Sequence, residues 1–259
     1  MNRYAVPLPS IRFLPVLRRH FLVWRKLALP SVLGNIADPL ITLVAFGYGL
    51  GRLLPQVGGV DYIVFLAAGS ICMSTMMAAS FEALYSAFSR MHVQKTWDAI
   101  VNAPVALDDV VLAELVWAAA KSFLSGLAIF LVIWALGLVT MPTALLALAV
   151  VPLMGLCFGA LGLVITALSP SYDFFSYYFT LVITPMAMVS GVFFPVEQLP
   201  AAMQAIAHLL PLVHATELVR PLLNGALPSD VLLHVAVLLA YAVAGFYAAL
   251  VLLRRRLAS

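Results

Sequence analysis

Residues 143–168 read TALLALAVVPLMGLCFGALGLVITAL, a run without one charged side chain. A soluble fold has no interior large enough for such a run. The hydrocarbon core of a bilayer, about 30 Å thick, takes about 20 residues of helix at about 1.5 Å each. The alternation of a barrel strand is absent, and backbone in lipid must satisfy its own hydrogen bonds, so the segment is predicted to be a helix that crosses a membrane.

Working outward, comparable stretches occur at 33–53, 61–88, 109–138, 173–194 and 231–253. With 143–168 they predict an all-α integral membrane protein of about six transmembrane helices in a single domain, 1–259. Composition agrees: 64% of the 259 residues are hydrophobic and 10% charged, against about 45–50% and about 25% in soluble domains. A formal charge of +3, scattered among apolar runs, gives no basis for nucleic-acid binding. Cys72 and Cys157 lie in apolar segments without metal-ligand spacing and read as small buried hydrophobes, not as a disulfide. The N-terminus, broken by Pro7, Pro9 and Pro15, lacks the continuous core of a signal peptide and reads as retained and cytoplasmic.

Basic residues set the orientation. Arg3, Arg12, Arg18, Arg19, Arg25 and Lys26 precede the first span, Arg90 and Lys95 follow the second, and Arg254, Arg255 and Arg256 end the chain. With six spans these eleven share one side and only Arg52 and Arg220 face the other. The positive-inside rule then puts both termini in the cytoplasm of a bacterial inner membrane.

Within 10–29, Leu14, Leu17, Phe21 and Trp24 fall in roughly an 80° arc of a helix with Arg18, Arg19, Arg25 and Lys26 beside it. This reads as an interfacial helix against anionic lipid, with a plain positive flank as the alternative. Pro30 is expected to end or kink it, and Asp38 before Pro39 to sit at the interface. Between the last two spans, Pro195, Pro200, Pro211, Pro221 and Pro228 cut 191–229 into pieces too short to cross, predicted as outer re-entrant or surface helices, with an ordinary structured loop as the alternative.

No G-x-x-x-x-G-K-[ST] loop, H-E-x-x-H, G-x-S-x-G or Cys/His zinc pattern occurs, so the expectation is a chain without enzyme chemistry and without a metal. His20, His92, His208, His214 and His234 are dispersed. Two charges fall inside predicted spans at similar depth, Glu82 and Lys121. They read as an intramembrane ion pair or as a substrate contact, and Glu114 competes for Lys121. Tyr172, Phe175, Tyr178 and Phe179 read either as an interfacial belt or as lining of a transport path. Val192, Phe193, Phe194 and Leu199 are too apolar for an exposed loop and are candidates for an outer gate. In 91–105, ended by Pro104, Trp97, Ile100 and Val101 form a small apolar face with Lys95 and Asp98 around it. That face suits docking into a partner's groove, or a lipid anchor through Trp97.

The residues also carry a resemblance. GNIADPLI at 34–41, FGYGLG at 46–51, KTWDAIVNAPV at 95–105 and SGVFFPVEQLP at 190–200, then LLPLVH at 209–214 and LVRP at 218–221, resemble ABC-2 type transporter permeases. Among these they are most similar to the family of rhizobial nodulation-factor (lipo-oligosaccharide) exporter permeases. The likeness runs over nearly the whole chain. It implies a homodimer of six-span subunits with a separate ABC ATPase that holds ATP and Mg, exporting an amphipathic lipid, glycolipid or lipo-oligosaccharide. A place between the second and third spans on the cytoplasmic side makes 91–105 the candidate helix that couples permease to ATPase, although RMHVQK at 90–95 replaces the acidic, glycine-containing approach of many relatives. The rival class is a gradient-driven secondary transporter or channel, which calls for internal repeats that the halves do not display. A membrane-embedded enzyme would need a clustered catalytic set.

Overall fold

The computed structural model describes residues 4, 6, 7, 10–54 and 56–257, apart from the side chains at 32, 35, 36, 38 and 39. Arg3 and the Asp38 side chain thus lie outside the described residues. The protein is an all-α membrane protein with a single two-residue hairpin, Gln56–Val57 paired with Val60–Asp61, among the described residues. Gly58 and Gly59 turn that hairpin with φ of 61° and 80°. Positive φ at both central positions matches the right-handed twist of the flanking strands and favours glycine.

Helix α1 is Phe13–Trp24 and α2 is Ala28–Gly49. The break between them is a single 3-10 turn, Arg25–Leu27, rather than Pro30. Pro30 sits in the first turn of α2, where a missing N–H is tolerated because no carbonyl precedes to receive it. Helix α3, Tyr62–Phe81, continues through two wide π turns, Glu82–Ser86 and Ser89–Val93. Helix α4 is only Thr96–Val101, so 91–105 is not one helix: its first residues finish the helix of α3, and Lys95, with φ of 48°, makes the corner.

Then follow α5, Leu107–Ala135, α6, Ala144–Leu168, and α7, Asp173–Tyr178, which passes through another π turn into α8, Thr184–Val189. The shorter helices that follow are α9, Ala201–Ala207, and α10, Pro211–Leu223, and the last described helix is α11, Val231–Leu257. Among the described residues, four helices are long and apolar enough to cross a membrane: 62–93, α5, α6 and α11. Leu40–Arg52 and Asp173–Val189 are shorter apolar stretches.

Helix α6 sits at the centre, packed on α5 and α11, with α3 against both α5 and α6. Lipid gives helices no hydrophobic reason to associate, so close backbone approach at small residues does the work. Gly155 is one such place, since a Cβ there would lie 2.8 Å from Ala119 Cα.

Side-chain ties fix which ends of the bundle coincide. Arg254 Nη2 reaches Asp108 Oδ2 at 2.5 Å, and Ser10 N donates to Asp109 Oδ1 at 2.6 Å. Arg12 Nη1 donates to Pro104 O at 2.6 Å. Both ends of the described chain therefore meet the start of α5, at the end of the bundle that carries α4. The Gln56–Asp61 hairpin, residues 191–220 and the start of α11 gather at the other.

Candidate functional site

Four charges from two helices meet inside the bundle near α4. Lys121 Nζ donates to Glu82 Oε2 at 2.8 Å, and Arg90 Nη2 donates to Glu82 Oε1 at 2.8 Å. The Arg90 guanidinium also grips Glu114, with Nε 2.9 Å from Oε1 and Nη2 2.5 Å from Oε2. Two carboxylates and two cations balance, which is the condition for keeping charge in low dielectric.

Helix geometry explains how Glu82 and Arg90 converge. Eight residues apart, they would lie about 80° from each other on a regular helix. The π turns absorb extra residues and bring the pair close to two whole turns apart, on one face. Sequence spacing gave Arg90 as an end marker and offered Glu114 as a rival for Lys121. The structure gives Glu114 to Arg90, and nothing in a single sequence signals a π turn.

Trp97 belongs to the same cluster. Its side chain is 1% exposed, and the indole Nε1 donates to Glu114 Oε1 at 2.9 Å. The expectation that Trp97 faces outward, to a partner or to lipid, is therefore corrected: it is the inner peg of α4. Ile100 is half-buried, and Lys95, Asp98 and Val101 are exposed, so the outward face of α4 is more polar than the sequence suggested. On the other flank of Glu114 lies His20 of α1, with Nε2 3.4 Å from Oε1 but without hydrogen-bond alignment. Burial pushes the His20 imidazole below its ordinary value, so it packs as a neutral ring.

The aromatic residues form a wall between α3 and α7. Phe81 stacks on Phe179 at 4.6 Å between centroids, and Tyr85 stacks on Tyr172 at 6.1 Å while meeting Phe175 edge-on at 5.1 Å. Phe175 and Tyr178 are buried, Phe179 is half-buried, and Tyr172 and Phe81 are open on one side. Higher up the same side of α3, a cavity of about 130 Å³ is lined by Ser70, Met73, Ser74, Phe81, Val192 and Phe193 among others.

Above the cavity the segment 190–199 is clamped down. Val192 is buried, Phe193, Phe194 and Leu199 are half-buried, and Phe193 packs on Phe46 at 6.0 Å. Tyr62 Oη donates to Phe193 O at 3.2 Å, Thr216 Oγ1 donates to Ser190 O at 2.9 Å, and Arg220 donates to Gly191 O. The Arg220 guanidinium also lies 3.9 Å over the Phe65 ring, a cation–π contact. Behind it, His214 and His234 join α10 to α11 with Nδ1 atoms 2.8 Å apart.

Among the described residues, no group of three or more His, Cys, Asp or Glu side chains could hold a metal ion. The arrangement is one of packing and fixed charge inside a bundle, with short segments tied to it at both ends.

Comparison with known proteins gives a family. The sequence model of the ABC-2 type transporter family matches residues 12–223. Nodulation protein J of Rhizobium meliloti (strain 1021) is 47% identical, covering 98% of this chain and 97% of its own. Nodulation protein J of Rhizobium leguminosarum bv. viciae is 48% identical over 99% of each. A more distant relative is the inner membrane transport permease YadH of Escherichia coli (strain K12), 26% identical over 83% of this chain and 81% of its own.

Proposed function

We propose, from the premise that the chain belongs to the ABC-2 type transporter family, that it is the permease of an exporter for an amphipathic lipid, glycolipid or lipo-oligosaccharide. A separate ABC ATPase subunit holds ATP and Mg and supplies the hydrolysis, and two copies of the permease form the membrane part. The relatives alike over nearly their full length are named for nodulation, and the resemblance to nodulation-factor exporter permeases favours a lipo-oligosaccharide as cargo.

The observation that carries the mechanical part is the Trp97–Glu114 bond, which ties a short helix outside the bundle to buried charge inside it. An ATPase that displaces the exposed face of α4, with Lys95, Asp98 and Val101, pulls on Trp97. Through Glu114 and Arg90 it then pulls on the part of α3 that carries Phe81 and Tyr85. Partly exposed aromatic faces suit sugar rings and acyl chains alike. Cargo passes along Tyr172 and Phe179, which the buried Phe175 and Tyr178 back, toward the cavity beneath Phe193, and Val192, Phe193, Phe194 and Leu199 close the exit. Glu82 and Lys121 have the geometry of fixed structural charges, each held by a partner. The shared end of both termini and the eleven-to-two basic bias support cytoplasmic termini in a bacterial inner membrane.

Inside-out vesicles carrying the permease and its partner ATPase test this. ATP should drive uptake of a lipo-oligosaccharide, and uptake driven by an imposed proton gradient without ATP would establish the gradient-driven transporter instead.

A further inference from the structure

Helix α1 leaves an open groove of about 870 Å³ between itself and α5. Its walls are Leu14, Leu17, Phe21 and Leu22 from α1 with Trp117 and Ala120 from α5, and Arg18 and Arg19 stand at its rim. None of the lining residues is acidic. The groove is held in shape rather than left by a loose helix: His20 and Trp24 both pack on Trp117, at 6.1 and 6.0 Å between centroids. Phe21 and Leu14 nevertheless stay half exposed, at 49% and 48%. An apolar trough with a doubly cationic lip, on a helix whose other neighbours are Arg25 and Lys26, is complementary to one kind of molecule at a membrane surface. That molecule has carbon chains below and a negative headgroup above.

We propose that this groove is the seat of an anionic glycerophospholipid of the leaflet in which α1 lies. The chains rest on Leu17, Phe21, Trp117 and Ala120, and the phosphate takes Arg18 and Arg19. Among the described residues Arg19 has one distant hydrogen-bond partner, Oγ1 of Thr96, the first residue of α4, at 3.5 Å. A phosphate there competes with Thr96 for the guanidinium, so occupancy bears on α4. That last consequence rests on the coupling reading above, whereas binding itself does not.

Native mass spectrometry of the purified full-length chain, exchanged from detergent into defined lipid, tests binding without ATP or a partner. Phosphatidylglycerol should be retained as a discrete adduct while phosphatidylcholine is lost. The double change Arg18→Gln with Arg19→Gln should weaken retention about thirtyfold, since each surface cation contributes about 1 kcal/mol toward an anionic lipid. Ala120→Trp, which fills an exposed part of the trough, should also weaken it, and Arg52→Gln at the far end should leave it unchanged. Equal retention of phosphatidylcholine, or survival of the adduct in both groove variants, would overturn the proposal. So would binding of glycerol phosphate as tightly as the lipid, which would mark a phosphate site, or a dimer that Ala120→Trp dissociates, which would mark an interface between copies.

Discussion

Trp97 Nε1 and Glu114 Oε1 stand 2.9 Å apart, both side chains buried, so a six-residue helix outside the bundle is anchored on a charge within it. Removing the indole opens a void and leaves Glu114 with one partner fewer. Trp97→Ala should therefore cost about 3–5 kcal/mol, as large core truncations do. Trp97→Phe keeps most of the volume and should cost about 1–3 kcal/mol for the lost buried bond. Thermal melts in detergent read both. Asp98→Lys, on the exposed face, should leave the melt unchanged while weakening co-purification of the ATPase. If Asp98→Lys copurifies normally with full transport, α4 is not the docking face.

The cluster's partners are unequal. Arg90 serves two carboxylates and Lys121 one. Arg90→Met leaves Glu114 with the Trp97 hydrogen bond and the unaligned His20 ring and should cost about 3–5 kcal/mol, the range for breaking a buried ion pair. Lys121→Met leaves Glu82 still held by Arg90 and should cost clearly less. The exchange Glu82→Lys with Lys121→Glu should not restore wild-type stability, because a lysine at 82 would face Arg90. Equal losses in the two single variants would show that the charges act as independent pairs.

At the opposite end, Gly69 lets the outer segment rest on α3. A Cβ at residue 69 would lie 2.4 Å from Val192 O, a backbone atom that cannot turn aside. Gly69→Ala should therefore lift 190–194 away from α3. With Val192→Cys, buried at 2% exposure, an impermeant thiol reagent added outside should label slowly in the parent and several times faster beside Gly69→Ala. Unchanged labelling would mean that α3 yields instead.

Much of this architecture was legible from the residues. Hydropathy finds the long helices because lipid forces every apolar run to pair its backbone internally. The depth rule put Glu82 and Lys121 at one level, and they lie 2.8 Å apart. What stayed hidden depends on departures from regular geometry. The π turns rotate Arg90 onto Glu82, and the corner at Lys95 turns Trp97 inward, where periodicity alone leaves the facing side of a six-residue helix undetermined. The joining of Asp108 to Arg254 spans 146 residues, and no local pattern marks it.

His214 and His234 supply a pH dependence at the outer end. The His214 Nε2–H donates to His208 O at 3.0 Å, which leaves Nδ1 bare to accept from the His234 Nδ1–H at 2.8 Å. This assignment follows from the acceptor at one end and is the pair's neutral form. Around His214 stand His208, His234 and Glu217, and Asp230 precedes His234 by one turn. Burial lowers the His214 value below the ordinary 6.5, against the raising effects of the His208 carbonyl and Glu217. A depressed imidazole binds its proton more readily in the unfolded chain, so the stability it contributes is present above about pH 6.5 and is lost as pH falls. The melting temperature in detergent should thus fall between about pH 7.5 and about pH 5.5. His214→Phe, which keeps a ring against His234 but offers no nitrogen, should flatten that fall. A wild-type melting temperature that holds steady or rises on acidification, or an equal fall in His214→Phe, would remove His214 as the source.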